Sequence, residues 1–128
     1  VTPYIMVGSA EGFATFVEYV FGAEVRNVNR PPGHPERVMH AEALIGGSTV
    51  FFADSDGDGR QCREPFRPGG DPGTTHMWTA PADPDGAYAR AVESGAVPVV
   101  PLAVQDDGGR FGGFADPFGT LWWVTAAA

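Results

Sequence analysis

The chain has 128 residues, with 8 Lys+Arg against 16 Asp+Glu and a formal net charge of -8. That balance excludes a sequence-independent grip on nucleic acid, which needs clustered Lys and Arg. Apolar residues make up 43% of the chain, enough for a core, so it is not disordered; no apolar run approaches the ~18 residues of a membrane span.

The predicted elements run as follows. Thr2 to Val7 reads as a strand. Ser9 is placed to cap a helix over Ala10 to Phe21, whose Phe13, Phe16, Val17, Val20 and Phe21 recur on one helical face. Gly22 ends it. Ala23 to Asn29 is a second strand, and the Pro-rich Arg30 to Glu36 is a loop in which His34 is expected to face solvent. Val38 to Ile45 and Ser48 to Ala53 form a hairpin about Gly46-Gly47, a two-residue turn signal. Residues 54–73 lack periodicity and hold five glycines and three prolines, which reads as a linker or mobile loop.

The order then repeats. Thr74 to Ala80 is a strand. Asp83 caps a helix with Pro84 at its first position, ending near Gly95. Tyr88, Ala91 and Val92 are expected to form its buried stripe. Val97 to Val104 carries two prolines, which suits an edge strand. Arg110 to Ala115, the type I turn Asp116-Pro117-Phe118-Gly119, and Thr120 to Thr125 make a final hairpin. The plan is therefore α+β: two βαβββ modules, residues 1–53 and 74–128, in a single domain. Each module makes a four-stranded sheet with one helix on its outer face. Two such mixed sheets, curled side by side, would enclose a ligand cleft.

At this point the sequence resembles the vicinal oxygen chelate superfamily, which holds glyoxalase I, bleomycin-resistance proteins and extradiol dioxygenases. The likeness is carried by VTPYIMV with FVEYVFGAEV, VMHAEALIGGSTVFFAD, AYARAVESGAVPVVP and FADPFGTLWWV. His40-Ala41-Glu42 ahead of the Gly-Gly turn, with Asp116-Pro117-Phe118-Gly119 before the last strand, points to the bacterial glyoxalase/bleomycin-resistance-like subgroup. Similar proteins often carry His or Asn after that last turn, where this chain has Thr120. The scaffold hosts unrelated chemistries, so function must come from the site.

The resemblance implies metal ligands, typically His and Glu, on the first, fourth, fifth and eighth strands. The matching positions are about Thr2, Phe52, His76 and Trp123. Only His76 there can ligate a borderline metal, and a catalytic metal needs about three protein ligands. Shifting the first and fourth strands by one residue brings no ligand. The usual metal site is therefore expected to be absent, and no cofactor is expected.

His40 and Glu42 lie two apart on a strand and share a face. They suit a general base with its orienting carboxylate, or two ligands of a displaced metal site. A solvent-facing edge pair is the plainer reading. Strand parity places Tyr4, Phe52, Trp78 and Trp123 with Thr2 and His76 on the cleft side, as aromatic walls for a flat ligand. Phe51 and Trp122 are expected in the core. His76 is either a ligand contact or a satisfied strand histidine.

Asp54-Ser55-Asp56-Gly57-Asp58-Gly59 opens like a calcium loop, but its twelfth position is Pro65 and no helices flank it, so an acidic loop is expected instead. Gly108-Gly109 and Gly112-Gly113 do not precede a helix and make no phosphate cradle. Cys62, the sole cysteine, forbids an internal disulfide, suits a reducing cytoplasm, and is read as an incidental surface thiol. No basic stretch followed by an apolar run opens the chain, so no secretory leader is expected.

The reading that follows is a cytoplasmic protein that binds or sequesters a small organic molecule. The acidic balance suits a cationic ligand. Neither nucleic acid nor membrane is an expected partner, and the resemblance implies a homodimer. The enzyme alternative is a glyoxalase-like isomerase or lyase using His40, Glu42 and His76.

Overall fold

A computed structural model describes residues 1–55 and 73–126. The calcium-like run beyond Ser55, Cys62, and nearly all of the expected linker lie outside the described residues. The chain falls into two compact units, Val1–Arg67 and Pro68–Ala128.

In the first unit, β1 (Tyr4–Val7), β2 (Glu24–Asn29), β3 (His40–Ile45) and β4 (Ser48–Asp54) form one sheet in the order β1-β4-β3-β2. β1 runs parallel to β4, and the other pairs are antiparallel. The helix α1 (Ala10–Phe21) starts at Ser9, whose side chain accepts a hydrogen bond from the Gly12 N–H. Its stripe of Phe13, Phe16, Val17 and Val20 is buried, as the spacing requires. Ala41, Ala43, Val50 and Phe52 meet that stripe from the sheet, and the Phe13 and Phe52 rings lie 4.9 Å apart.

Asp54 ties the unit together. Its two carboxylate oxygens accept from the Ala10 and Val38 N–H groups, each at 2.7 Å. The Asp54 N–H donates in turn to the Val38 carbonyl at 3.0 Å, while β3 itself begins at His40, two residues later than expected. The turn at Gly46-Gly47 has φ of 55° and 91°, left-handed values that glycine adopts without penalty. β2 carries a bulge. Arg26 pairs with Glu42 and Asn29 with His40, so one residue is extra, and Asn27 sits there at φ 53°.

The second unit repeats the plan with β5 (Met77–Thr79), β6 (Val97–Val104), β7 (Arg110–Ala115) and β8 (Leu121–Thr125), in the order β5-β8-β7-β6. β5 is shorter than expected. Its ladder with the parallel partner β8 starts at Met77, which pairs with Trp122. β6 is an edge strand, as its prolines imply.

The helix α2 (Pro84–Glu93) is capped by Asp83, which accepts from the Gly86 N–H. It packs on β6, β7 and β8 through Ala87 and Ala91. Val92 is a correction to the expected stripe: it is 40% exposed. It stands one helical step beyond Ala91, which turns it off the Ala87-Ala91 line. Tyr88 is half-buried and donates its hydroxyl to the carbonyls of Val100 and Gly113. Phe114, Trp122 and Val124 complete the core beneath α2.

The Asp116 turn is a built structure. The buried Asp116 carboxylate accepts from the Phe118 and Thr120 N–H groups and from the Trp122 indole, at 2.8 to 2.9 Å. Burial pushes this carboxyl above the usual carboxylate range, and these bonds pull it part of the way back. Thr120 is buried inside the same turn, so it serves the turn.

Candidate functional site

Each sheet has one face covered by its own helix and one that its helix leaves bare. On the bare face of the first sheet, four residues stand in a row across all four strands. Tyr4 of β1 pairs with Phe51 of β4, Phe51 with Glu42 of β3, and Glu42 with Arg26 of β2. His40 stands two residues from Glu42 on β3 and leans over the Phe51 ring, with centroids 4.8 Å apart. Its Nδ1 lies 3.0 Å from the Tyr4 hydroxyl, and its Nε2 lies 3.8 Å from Glu42 Oε2. The other Glu42 oxygen lies 3.7 Å from Arg26 Nε. A chain of polar groups thus runs Tyr4, His40, Glu42, Arg26 above an aromatic floor. Tyr4 is 46% exposed, whereas the Glu42 side chain is only 19% exposed.

The bare face of the second sheet is built from rings. Trp78 of β5 pairs with Trp123 of β8, and their rings stack with centroids 6.4 Å apart. Phe111 of β7 lies 5.7 Å from Trp78 and 6.1 Å from Trp123. The Trp123 indole N–H donates to His76 Nδ1 at 3.2 Å. An indole only donates, so Nδ1 of His76 is the acceptor and the remaining proton sits on Nε2. Gly113, opposite Trp123, makes room for this. A Cβ there would stand 2.8 Å from the indole. Trp78 remains 61% exposed.

Tyr4, His40 and Glu42 are therefore brought together on one sheet, and His76, Trp78 and Trp123 on the other. Phe52 is a correction. It is 1% exposed and packs on Phe13 beneath α1, on the face opposite Tyr4. Its neighbour Phe51, expected in the core, holds the place beside His40. Trp122 is in the core as expected. His34 faces solvent beside Glu36, also as expected.

Phe51 could have been found from the hairpin. Ile45 faces Ser48 across the glycine turn, and counting back sets Glu42 opposite Phe51. The same counting from the Asp116 turn places Phe111 on the Trp123 face. No comparable signal marks Arg26, because a long loop separates β2 from β3.

The residues present do not fit the metal set that the scaffold's metal enzymes suggest. Thr2 has a weak donor, Phe52 and Trp123 have none suited to a metal, and His76 stands alone among the four positions. Among the described residues, no three His, Cys, Asp or Glu side chains are grouped to hold a metal ion.

Comparison with known proteins agrees with the fold. The chain is 33% identical over 123 residues to the uncharacterized Mycobacterium bovis protein Mb0911c, covering 94% of this chain and 78% of that protein. It matches the uncharacterized Mycobacterium tuberculosis protein Rv0887c at the same identity, covering 70% of it. Among solved structures it is similar to the PhnB protein from Bacillus cereus, with a TM-score of 0.77, 19% identity, and coverage of 99% of this chain and 98% of that one. It is also similar to the fosfomycin resistance protein FosX from Listeria monocytogenes in complex with Mn(II) and sulfate, with a TM-score of 0.71, 15% identity, and coverage of 100% and 91%. At such identities these structures speak to fold alone. The sequence model of the Glyoxalase/Bleomycin resistance protein/Dioxygenase superfamily matches residues 2–124, and the chain belongs to that superfamily.

Proposed function

We propose that this chain binds a small organic molecule in the manner of a bleomycin-resistance-type protein, stacking a flat or apolar part of it on Trp78 and Trp123. The observation that carries this reading is the ring cluster on the second sheet, with Trp78 left 61% exposed. Exposed stacked indoles lose little entropy on meeting a flat partner, and a ligand covering ~100 Å² of them gains roughly 2.5 kcal/mol. The net charge of -8 favours a cationic ligand, which the indole faces also attract. The His76 Nε2–H supplies one fixed donor for an acceptor on the ligand.

The test is a tryptophan-fluorescence titration with bleomycin and with the planar cation ethidium. Saturable quenching by at least one of them is expected, weakened tenfold or more in Trp78→Ala. Quenching by neither, or equal affinity in the variant, would overturn the reading. We further propose that the protein pairs as a homodimer in the cytoplasm. Sedimentation at twice the 13.5 kDa chain mass is expected, and a monomer at micromolar concentration would refute the pairing.

A further inference from the structure

The polar row on the first sheet calls for a role that ring stacking does not supply. We propose that Tyr4, His40 and Glu42 form a metal-free proton relay, with Tyr4 as the group that meets the substrate. The proposal does not rest on ligand binding at the second sheet.

Three features carry it. The order of the groups is that of an activated hydroxyl: a hydroxyl on one imidazole nitrogen and a carboxylate facing the other. The carboxylate end is anchored, because the Glu42 side chain is mostly buried and lies 3.7 Å from Arg26 Nε. The hydroxyl end is presented, because Tyr4 is 46% exposed while its ring rests edge-on against Phe51 and His40. The titratable side chains recorded about His40, among the described residues, are Tyr4 from β1, Glu42 on its own strand β3 and, beyond Glu42, Arg26 from β2.

The step this arrangement suits is removal of a proton from carbon. In the resting state Tyr4 donates its O–H to His40 Nδ1, and the His40 Nε2–H faces Glu42. The substrate C–H bond breaks as its proton joins the Tyr4 oxygen. The proton Tyr4 already held passes to Nδ1, which gives an imidazolium beside the Glu42 carboxylate. The electron pair left on carbon moves into a neighbouring carbonyl or expels a leaving group. Ordinary phenol and imidazolium acidities differ by ~3.5 pH units, so free tyrosinate does not accumulate. The proton is replaced as it leaves. Glu42 is a positioning residue, acting only through His40. The substrate class is a carbon acid with an aromatic or conjugated body that can lie on Phe51.

The probe is a nitrobenzisoxazole, in which loss of the ring C–H proton breaks the N–O bond and releases a coloured cyano-nitrophenolate. The full chain is expected to accelerate this reaction over buffer. Tyr4→Phe and His40→Gln are each expected to lower the rate tenfold or more, with unchanged circular dichroism. Glu42→Gln is expected to lower kcat threefold or more with KM unchanged, and Glu42→Asp to keep part of the wild-type kcat. A purely structural Glu42 would show no such split between kcat and KM. The proposal is overturned if the wild-type chain gives no acceleration, if Tyr4→Phe matches the wild type, or if Glu42→Gln keeps the wild-type kcat.

Discussion

The two sheets share one strand plan and differ in what their bare faces carry. The first sheet sets a charged and polar row over one buried-edge ring, with His40 between Tyr4 and Glu42. The second sets Trp78, Trp123 and Phe111 together over glycine. The helix-covered faces are more alike, each being packed with apolar side chains. The βαβββ plan thus constrains one face of each sheet through core packing and leaves the other to chemistry.

This comparison can be broken most directly at the pair Phe51 and Phe52. Phe52→Ala is expected to cost about 4 kcal/mol in urea unfolding, because it empties a site beneath α1. Phe51→Ala, on the bare face, is expected to cost less than about 1.5 kcal/mol. Equal costs would mean that the two faces of β4 have been assigned wrongly.

The next test concerns what braces the ring-bearing strand. Asp116→Ala strands three donors around a buried turn, and a loss of about 3 kcal/mol is expected in the same assay. The pH dependence has a defined sign. The folded carboxyl sits above its usual value of 3.8 because it is buried, so folding takes up a proton between that value and the raised one. The stability Asp116 contributes is thus fully present below 3.8 and falls as pH rises through that window, then levels off. The advantage of the wild type over Asp116→Asn should shrink across it. An advantage that grows with pH would contradict the burial argument.

The glycines of β7 sharpen the contrast further. A Cβ at Gly112 would stand 2.7 Å from the Leu102 backbone, which cannot yield, so Gly112→Ala is expected to cost about 3 kcal/mol. At Gly113 the obstacle is the Trp123 ring, which can tilt. Gly113→Ala is expected to cost about 1.5 kcal/mol and to change the near-UV circular dichroism. The smallest effect belongs to Arg26→Ala. Its ion pair with Glu42 is half-exposed and solvent-screened, so the stability loss should stay below about 0.5 kcal/mol.

Much of this arrangement was legible in the residues. The helix α1 followed from five apolar positions and a serine cap, and both hairpins from their turn residues. Their chemistry is local, so no distant partner had to be known. The side chains that went astray depended on pairing between strands. Parity counted along β1 and β4 sets Phe52 with Tyr4, but these strands are far apart in sequence, and the tight Gly46-Gly47 turn instead sets Phe51 opposite Glu42. Val92 turns outward because small Ala87 and Ala91, rather than larger residues, meet the sheet. Arg26 was invisible because its partner lies across a long loop and a bulge.

That bulge has a consequence for how the first sheet tolerates change. The extra residue near Asn27 divides β2 into two separately phased halves. Removing the extra residue there would set Asn29 opposite His40 in the same register that sets Arg26 opposite Glu42, so the pairs on both sides of the bulge are kept. Arg26 would keep its place opposite Glu42. Length variation at this edge is therefore uncoupled from the residues at the centre of the sheet.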